Sequence, residues 1–287
     1  MNGIVIIDKP TDWTSQDVVS KLRGVLHTKR IGHGGTLDPM ATGVLPVFVG
    51  RATRGVEFFE HAEKTYEAVL HLGISTDTED ITGTVLAEKP VCVTGEQMAA
   101  VLDRFRGEIF QIPPMYSAIK INGQKLCDLA RKGREVERKP RPVTIHELTL
   151  LSFDGVMATL RVRCSKGTYI RTLCKDIGDA LGCGGCMESL RRTAAGAYTI
   201  REAIPLQQLV ESDDPERYLR PVDTMFAQYP AVTLTDKQTL RCRNGNSFSI
   251  DLPDGTYRAY SPDGDFLALS KVEEKVMSTI KSFFEAI

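Results

Sequence analysis

The sequence contains no long hydrophobic run, and this absence excludes one class of proteins. No window of the 287 residues approaches the roughly 18 consecutive apolar residues that a membrane-spanning helix needs. The apolar run at residues 4–7 has only four residues, and no basic segment precedes it, which is unlike a secretion signal. We therefore expect a cytoplasmic protein without a membrane segment.

An excess of charge of one sign is also absent. The 36 Lys and Arg residues are balanced by 37 Asp and Glu residues, which leaves a formal net charge of −1. A protein that binds nucleic acid through its overall charge is strongly basic, so any basic surface of this chain must be local. The composition, 42% hydrophobic and 25% charged, is that of an ordinary globular protein with room for one large and one small domain.

The cysteines do not follow the pattern of a disulfide framework. There are seven, and an odd number in a chain without a secretion signal favours free thiols. Cys183 and Cys186 form a lone C-x-x-C pair, whereas zinc needs four ligands. Cys164 and Cys174 could supply the other two in space, but we favour free thiols.

The most informative segment that is present covers residues 32–43. It contains one carboxylate, Asp38, among four glycines, two threonines, a histidine and a proline. Glycine permits close approach of backbone to a ligand, and proline fixes the chain just after the acid. The composition predicts a rigid loop that presents one reactive group, with a tight surface turn as the alternative.

The periodicity of the chain predicts an α+β fold with a second, smaller domain. Strands and helices occur without the regular alternation of a doubly wound sheet. Three short β-like runs follow Pro230, so we expect a domain boundary there, with residues 1–229 and 230–287 on either side. The predicted strands cover residues 4–7, 43–49, 66–72, 158–164, 247–252, 256–260 and 266–269, and the predicted helices cover residues 15–26, capped by Ser15, 94–105, capped by Thr94, and 168–181.

A carboxylate that acts as a nucleophile must stay ionised in a pocket from which water is excluded. Burial alone would raise its pKa and neutralise it, so a cation is expected nearby. Arg171 is the candidate, because it lies one turn into a predicted helix that follows the strand at residues 158–164. From the residues alone, a solvated surface arginine is the better explanation of Arg171.

One segment is locally basic. Residues 120–141 hold eight cations and three acids, an excess of five positive charges in a chain that is otherwise nearly neutral. Such a run is usually a solvated face, but glycines and prolines within it indicate a flexible flap. The cations are Lys120, Lys125, Arg131, Lys132, Arg134, Arg138, Lys139 and Arg141.

Seven motifs between about residues 2 and 201 resemble, in the same order, those of the TruB family of bacterial tRNA pseudouridine-55 synthases. Individually the motifs are short, but their shared order leaves little room for coincidence. They are Asp8-Lys9-Pro10 with Thr14-Ser15, residues 32–45, Lys64-Thr65-Tyr66, Leu72-Gly73 with residues 76–80 and Gly83, residues 113–118, residues 167–176, and Leu190-Arg191-Arg192-Thr193.

The resemblance implies a pseudouridine-synthase fold, with a mixed, largely antiparallel sheet flanked by helices and a small β-rich, PUA-like C-terminal domain. It implies isomerisation of a flipped-out T-loop uridine of tRNA at position 55, without cofactor or metal. Asp38 would be the nucleophile, attacking either the anomeric carbon or carbon 6 of the base. Tyr66 would stack on the uracil, with removal of the carbon-5 proton as a further role, and Arg171 would pair with Asp38.

The resemblance also implies the RNA contacts. His33 would insert into the RNA loop in place of the extruded base, and residues 114–142 would form a thumb-like flap that grips the T-arm. Because RNA is the partner, we expect a monomer. The residues expected to bind substrate are His33, Tyr169, Leu190, Lys9, Lys120, Arg131, Lys132 and Arg141.

Two other functions are compatible with parts of this pattern. An RNA clamp without enzymatic activity would use the same fold, but binding alone would not require Asp38, Tyr66 and Arg171 together. A hydrolase with an aspartate nucleophile would need a second carboxylic acid as proton donor. The acids at residues 77–80 are interpreted as an ordinary acidic turn, since they lack the spacing of a calcium loop.

Overall fold

The computed structural model describes residues 1–284. Their strands are β1 Gly3–Lys9, β2 Ile31–His33, β3 Thr42–Val49, β4 Lys64–Leu72, β5 Ile74–Thr76, β6 Val85–Glu88, β7 Gly107–Gln111, β8 Lys120–Ile121, β9 Gln124–Lys125, β10 Arg141–Phe153, β11 Met157–Cys164, β12 Gly185–Ala195, β13 Tyr198–Thr199, β14 Ile204–Pro205, β15 Ala231–Thr233, β16 Phe248–Ser249, β17 Gly255–Tyr260, β18 Phe266–Glu273 and β19 Val276–Ser282. Their helices are α1 Ser15–Val25, α2 Val56–Glu60, α3 Gly95–Leu102, α4 Leu126–Ala130, α5 Ile170–Ala180, α6 Leu206–Val210 and α7 Asp236–Arg243.

Ten strands form one mixed sheet. Its order is β14-β1-β3-β12-β4-β11-β10-β7, with β2 beside β3 and β13 beside β12. Two pairs, β1 with β14 and β3 with β12, are parallel, and the remaining pairs are antiparallel. The expected α+β fold with a largely antiparallel sheet is confirmed.

The alternation predicted for two central strands is observed. On β4, Tyr66, Ala68, Leu70 and Leu72 are buried, and they pack in one cluster with the apolar residues of α3 and α5. On β11, the buried residues alternate with exposed arginines. Period-two burial is what a sheet covered by helices on one face requires, and it orients Tyr66 toward α5.

Helix α1 begins where it was predicted to begin, but its capping residue differs. Thr14 is the N-cap, and its hydroxyl accepts a hydrogen bond from the N–H of Asp17 at 3.0 Å. Ser15, the predicted cap, is buried instead. Its Oγ accepts from the N–H of Leu37 at 2.9 Å, so the side chain joins the helix to the following loop.

Helix α5 begins two residues later than predicted. The hydroxyl of Thr168 donates to the carbonyl of Ser165 at 3.0 Å, which holds this segment in a turn. The N–H of Tyr169 donates to Oε1 of Gln111 at 3.0 Å, and Nε2 of Gln111 donates back to the Tyr169 carbonyl at 3.1 Å. Arg171 therefore lies in the first turn of the helix.

A second sheet has the order β15-β17-β18-β19-β16 and is accompanied by α7. The strand predicted at residues 247–252 is limited to β16, because its partner β19 starts at Val276 and the preceding Glu274 and Lys275 form a turn with positive φ. None of the helices in the described part of the chain combines the length and apolar character needed to cross a bilayer.

Candidate active site

The loop that carries Asp38 connects β2 to β3 and is anchored through its backbone. The N–H of Leu37 donates to Ser15, and the ammonium of Lys9 donates to the carbonyl of Pro39 at 3.1 Å. Both anchoring side chains come from the first fifteen residues of the chain. The N-terminal strand and helix therefore fix the position of the loop before any substrate binds.

Two glycines of the loop are required by close packing. Gly43 has φ +101°, and a Cβ there would lie 2.2 Å from the carbonyl oxygen of Arg192. A Cβ on Gly34 would lie 2.5 Å from the ring of Phe59. Because no larger residue fits either position, the loop can lie directly against β12 and the aromatic residues beneath it.

Asp38 and Arg171 form the expected ion pair. Nε of Arg171 lies 2.9 Å from Oδ2 of Asp38, and its Nη2 donates to Oδ1 at 3.4 Å. The arginine side chain is 7% exposed, whereas 35% of the aspartate side chain remains accessible. The fork orients the carboxylate while leaving it open to a substrate.

Arg171 is held by three further acceptors. It donates to the carbonyl of Thr78 at 3.0 Å and to that of Tyr116 at 2.9 Å. Its Nη1 also lies 3.6 Å from Oδ2 of Asp80. A guanidinium with partners on all sides has little freedom to rotate, so it positions Asp38 rigidly.

Asp80 is a site residue that the sequence did not reveal, because its segment was interpreted as an acidic turn. It is 5% exposed. Its Oδ1 accepts hydrogen bonds from Thr78 Oγ1 at 2.9 Å, from Thr82 Oγ1 at 2.6 Å and from the N–H of Thr82 at 3.1 Å. Arg171 thus lies between two carboxylates, one buried and one open.

The neighbours of Asp38 act on the pKa of its carboxyl group in opposite directions, with a net rise. Burial raises the pKa of its carboxyl group above the ordinary value, the charge of Arg171 opposes this rise, and the charge of Asp80 adds to it. The carboxylate is therefore held less strongly in its ionised form than an aspartate paired with one arginine in water. Such an anion has retained basicity and nucleophilicity.

Tyr66 and Leu190 line the same face of the sheet. Leu190 pairs with Ala68 in the register between β12 and β4, one step along from Tyr66, and both side chains are buried in the cluster that contains Leu37. Burial raises the pKa of Tyr66, so its phenol stays protonated at neutral pH. The ring of Tyr66 and the side chain of Leu190 together form an apolar surface of the kind on which a planar base stacks.

The chain matches known families and proteins over most of its length. Residues 23–170 match the model described as TruB family pseudouridylate synthase (N terminal domain), and residues 171–227 match that of the tRNA pseudouridylate synthase B C-terminal domain. The tRNA pseudouridine synthase B of Azoarcus sp. (strain BH72) is 50% identical over 82% of this chain and 79% of that protein. That of Clostridium kluyveri is 40% identical over 99% of this chain and 100% of that protein. This chain belongs to the TruB family.

The fold of this TruB-family chain is also found among solved structures. A chain in the structure of an H/ACA RNP bound to a substrate RNA containing 2'-deoxyuridine aligns with a TM-score of 0.73 and 24% identity. The alignment covers 99% of this chain and 86% of that one. The likeness supports the pseudouridine-synthase architecture, including the C-terminal β-rich part.

His33 lies in β2 and is half-buried. Its Nδ1 is buried and has no hydrogen-bond partner within the described residues. Burial lowers the pKa of the imidazole, and the nearby charge of Arg192 lowers it further. The backbone of Gly35 opposes this fall in pKa without cancelling it, so the neutral imidazole is favoured more than in a free histidine.

Lys9, which we expected to bind substrate, is completely buried in this TruB-family chain. Its ammonium donates to the carbonyls of Pro10 at 2.8 Å, of Trp13 and of Pro39. All three N–H groups are used, so none remains for a phosphate. Burial lowers the pKa of Lys9 to about 8, and the structure assigns this residue to the support of the loop.

The flap, residues 114–142, contains β8, β9 and α4. Its predicted RNA-binding cations Lys120, Arg131, Lys132 and Arg141 lie on its surface, and within the described residues none contacts Asp38. The root of the flap does reach the site, since the carbonyl of Tyr116 accepts from Arg171. Tyr169 is half-buried at the same end of the site, where its backbone pairs with Gln111.

Arg192 is a second residue whose role the sequence did not reveal. It is 1% exposed. Its Nε donates to the carbonyl of Val44 at 2.7 Å and its Nη2 to that of Gly35 at 3.1 Å. Arg192 also lies opposite Tyr66 in the register of β12 and β4. It thereby joins the Asp38 loop to the strand that carries the tyrosine.

No metal centre accompanies this arrangement within residues 1–284, where no group of three His, Cys, Asp or Glu side chains is placed to hold an ion. All seven cysteines are free thiols. Cys183 and Cys186 are both buried, and the sulfur of Cys183 is directed at the carbonyl of Gly184. The C-x-x-C pair is therefore part of the packing beside α5.

Proposed function

We propose that this protein isomerises the T-loop uridine at position 55 of tRNA to pseudouridine, with Asp38 as the nucleophile. The observation that carries the proposal is the forked contact of Arg171 with Asp38, which leaves the carboxylate accessible and near enough to Tyr66 for its charge to add to the rise that burial causes in the pKa of that phenol. The names of its TruB-family relatives support tRNA as the substrate.

The reaction moves one bond and one proton. The bond between N1 of uracil and the anomeric carbon breaks, the ring rotates, and carbon 5 forms the new bond to the anomeric carbon; carbon 5 loses a proton and N1 gains one. Asp38 assists by attacking the anomeric carbon, as carboxylates do in retaining glycosidases, or by adding to carbon 6, and its bond to the substrate breaks again before the product leaves. Arg171 orients the carboxylate for either attack, and Leu190 supplies an apolar wall against the rotating ring.

Tyr66 is proposed to stack on the flipped uracil. Its raised pKa makes the phenolate a minor species at neutral pH, so stacking is favoured over removal of the carbon-5 proton. Extrusion of a base costs a few kcal/mol, and stacking on a buried aromatic ring offsets part of that cost.

The RNA contacts of the proposal lie around this pocket. His33 inserts into the loop that the uridine leaves, and Tyr169 lines the entrance beside α5. The flap cations Lys120, Arg131, Lys132 and Arg141 contact phosphates of the T-arm. Because such contacts release counterions, affinity for tRNA falls steeply as salt concentration rises.

The proposal extends to the organisation of the whole chain. Residues 1–229 form the catalytic domain and residues 230–287 a small PUA-like RNA-binding domain. The protein acts as a monomer in the cytoplasm, a reducing compartment that suits its seven free thiols. The chemistry above uses only side chains of this chain and requires no cofactor.

The test is tritium release from carbon-5-labelled uridine in a T-arm stem-loop. We expect the wild type to release tritium, and we expect Asp38→Asn to lose on the order of 10³-fold or more in turnover while still binding the RNA. Wild-type protein that binds the RNA without releasing tritium would identify an RNA clamp. Substantial turnover by Asp38→Asn would remove the nucleophile role from Asp38.

A further inference from the structure

A second group of cations lies near β2, apart from the flap. Residues 21–30 contain four Lys or Arg residues and no acid, and residues 51–54 contain two arginines and no acid. The two segments are separated in sequence by the Asp38 loop and β3. Neither belongs to the basic run at residues 120–141.

The fold joins these segments into one surface. The N–H of Gly50 donates to the carbonyl of Arg30 at 2.7 Å, and Nε of Arg30 donates to Oγ1 of Thr53 at 2.8 Å. Nη2 of Arg23 reaches the carbonyl of Ile31 at 3.4 Å. The surface, here called the β2 basic patch, consists of Arg23, Lys29, Arg30, Arg51 and Arg54.

The cations of the β2 basic patch are not neutralised by the protein. Among residues 1–284, none of them lies within 4.0 Å of a carboxylate oxygen, although such ion pairs occur throughout the rest of the molecule. In the flap, two of the eight cations have such a partner, Arg131 with Asp128 and Arg138 with Glu135. Unpaired cations grouped in this way repel one another, and a polyanion relieves the repulsion.

The patch is also at a suitable distance from the reaction. Strand β2 leads from Arg30 directly to His33 and the Asp38 loop. Three strand residues span about 10 Å, which corresponds to about three nucleotide steps along one strand of a helix. An RNA loop that holds His33 in place of the reacting uridine therefore has phosphates within reach of the exposed cations Arg23, Lys29 and Arg30.

We propose that the β2 basic patch binds phosphates of the RNA stem about three nucleotides from the reacting uridine, as a second grip that complements the flap. The inference rests on the proposed function, because it takes the position of the RNA from the insertion of His33 in place of the reacting uridine. It adds a substrate-binding surface that is separate in sequence and in structure from the flap.

The experiment measures the affinity of a T-arm stem-loop as a function of salt. The variants are the triple change Arg23→Gln, Lys29→Gln, Arg51→Gln and the single change Lys29→Glu, each checked by its melting temperature. We expect the slope of log K against log salt to fall by about 1 for each phosphate contact that a substitution removes. For three such contacts, the affinity falls on the order of 10²-fold at 0.1 M salt, and KM for tritium release rises in parallel.

The matched control removes three exposed charges elsewhere in residues 1–229, by Lys89→Gln, Arg104→Gln and Arg201→Gln, and is expected to keep the wild-type slope. If both patch variants bind and titrate with salt like the wild type, the inference is overturned, while tritium release by the wild type still supports the proposed function. If the wild type neither binds nor isomerises the stem-loop, the proposed function fails, and the inference fails with it.

Discussion

At the scale of single residues, the carboxyl group of Asp38 decides the pH dependence of activity. Burial and the charge of Asp80 raise its pKa, and Arg171 only partly opposes them. The nucleophile is the ionised form, so kcat/KM falls as the pH drops through this pKa. We expect the midpoint of the acid limb above the ordinary aspartate value of about 3.9.

Asp80→Asn tests the cause of this shift. The change removes one of the two influences that raise the pKa of Asp38, so the acid limb moves to lower pH as the maximal rate falls. Asp77→Asn is the control in the same turn, since Asp77 is exposed and is expected to leave the limb in place. Tritium-release rates between about pH 4 and pH 8 measure both. A limb unmoved by Asp80→Asn would show that Asp38 does not respond to its neighbour's charge.

The buried ammonium of Lys9 makes the free energy of unfolding depend on pH. Its pKa is about 8 in the folded protein, against 10.5 for the free side chain. Between these values the unfolded chain binds more protons than the folded one, so the free energy of unfolding rises with pH. Relative to Lys9→Met, the wild type is expected to gain roughly 3 kcal/mol across that interval. Urea unfolding of both proteins at the lower and upper pH of this interval measures the gain. If the free energies of unfolding of the wild type and Lys9→Met changed equally with pH, the prediction would be contradicted.

At the scale of elements, the start of α1 has two neighbouring hydroxyls with different tasks. Thr14 caps the helix, so Thr14→Ala is expected to lower the free energy of unfolding by about 1 kcal/mol without changing activity. Ser15→Ala leaves the buried N–H of Leu37 without its partner, which costs about 1–3 kcal/mol and also loosens the Asp38 loop. Of the two variants, we therefore expect only Ser15→Ala to have a reduced kcat/KM. Equal activities of the two variants would show that the hydroxyl of Ser15 does not position the loop.

The helices and strands that the sequence predicted are those with a regular alternation of buried residues or a recognisable capping motif. The burial of β4 and β11 follows from alternation, and α3 follows from its capping box at Thr94 and Gln97. Strand β12 escaped prediction because register shifts between Met187 and Ser189 and between Arg192 and Ala194 interrupt its alternation.

The residues of the candidate site likewise divide into those that a local sequence pattern predicted and those that it did not. Asp38 and Tyr66 carry local sequence signals, whereas the pairing of Arg171 with Asp38 joins residues 133 positions apart and was inferred only through family resemblance. Asp80 and Arg192 lie in two of the family motifs, but no role was predicted for either, because a buried charged residue looks like a surface one until its partners are known. Lys9 was misjudged for the same reason, since three backbone carbonyls satisfy its ammonium.

At the scale of the whole molecule, the two sheets share an apolar cluster. Phe226 lies 2% exposed in the segment that leads to the second sheet. Its ring centroid is 5.4 Å from that of Phe58, 6.1 Å from that of Phe266 and 5.6 Å from that of Phe283. Side chains from helix α2 and from the C-terminal part of the chain thus meet on one residue, which couples the stability of the two sheets.

Phe226→Ala is therefore expected to destabilise both sheets together. Removal of a fully buried phenylalanine costs about 3–5 kcal/mol, because the ring no longer packs against its neighbours and the rigid surroundings do not fill the cavity. Phe110→Ala is the matched control, since Phe110 is 69% exposed and its truncation should change stability by no more than about 0.5 kcal/mol. Urea unfolding followed by circular dichroism and by the fluorescence of Trp13, the single tryptophan, reports both the size of the destabilisation and its cooperativity. If Trp13 unfolds at the wild-type urea concentration in Phe226→Ala, the cluster does not couple the sheets.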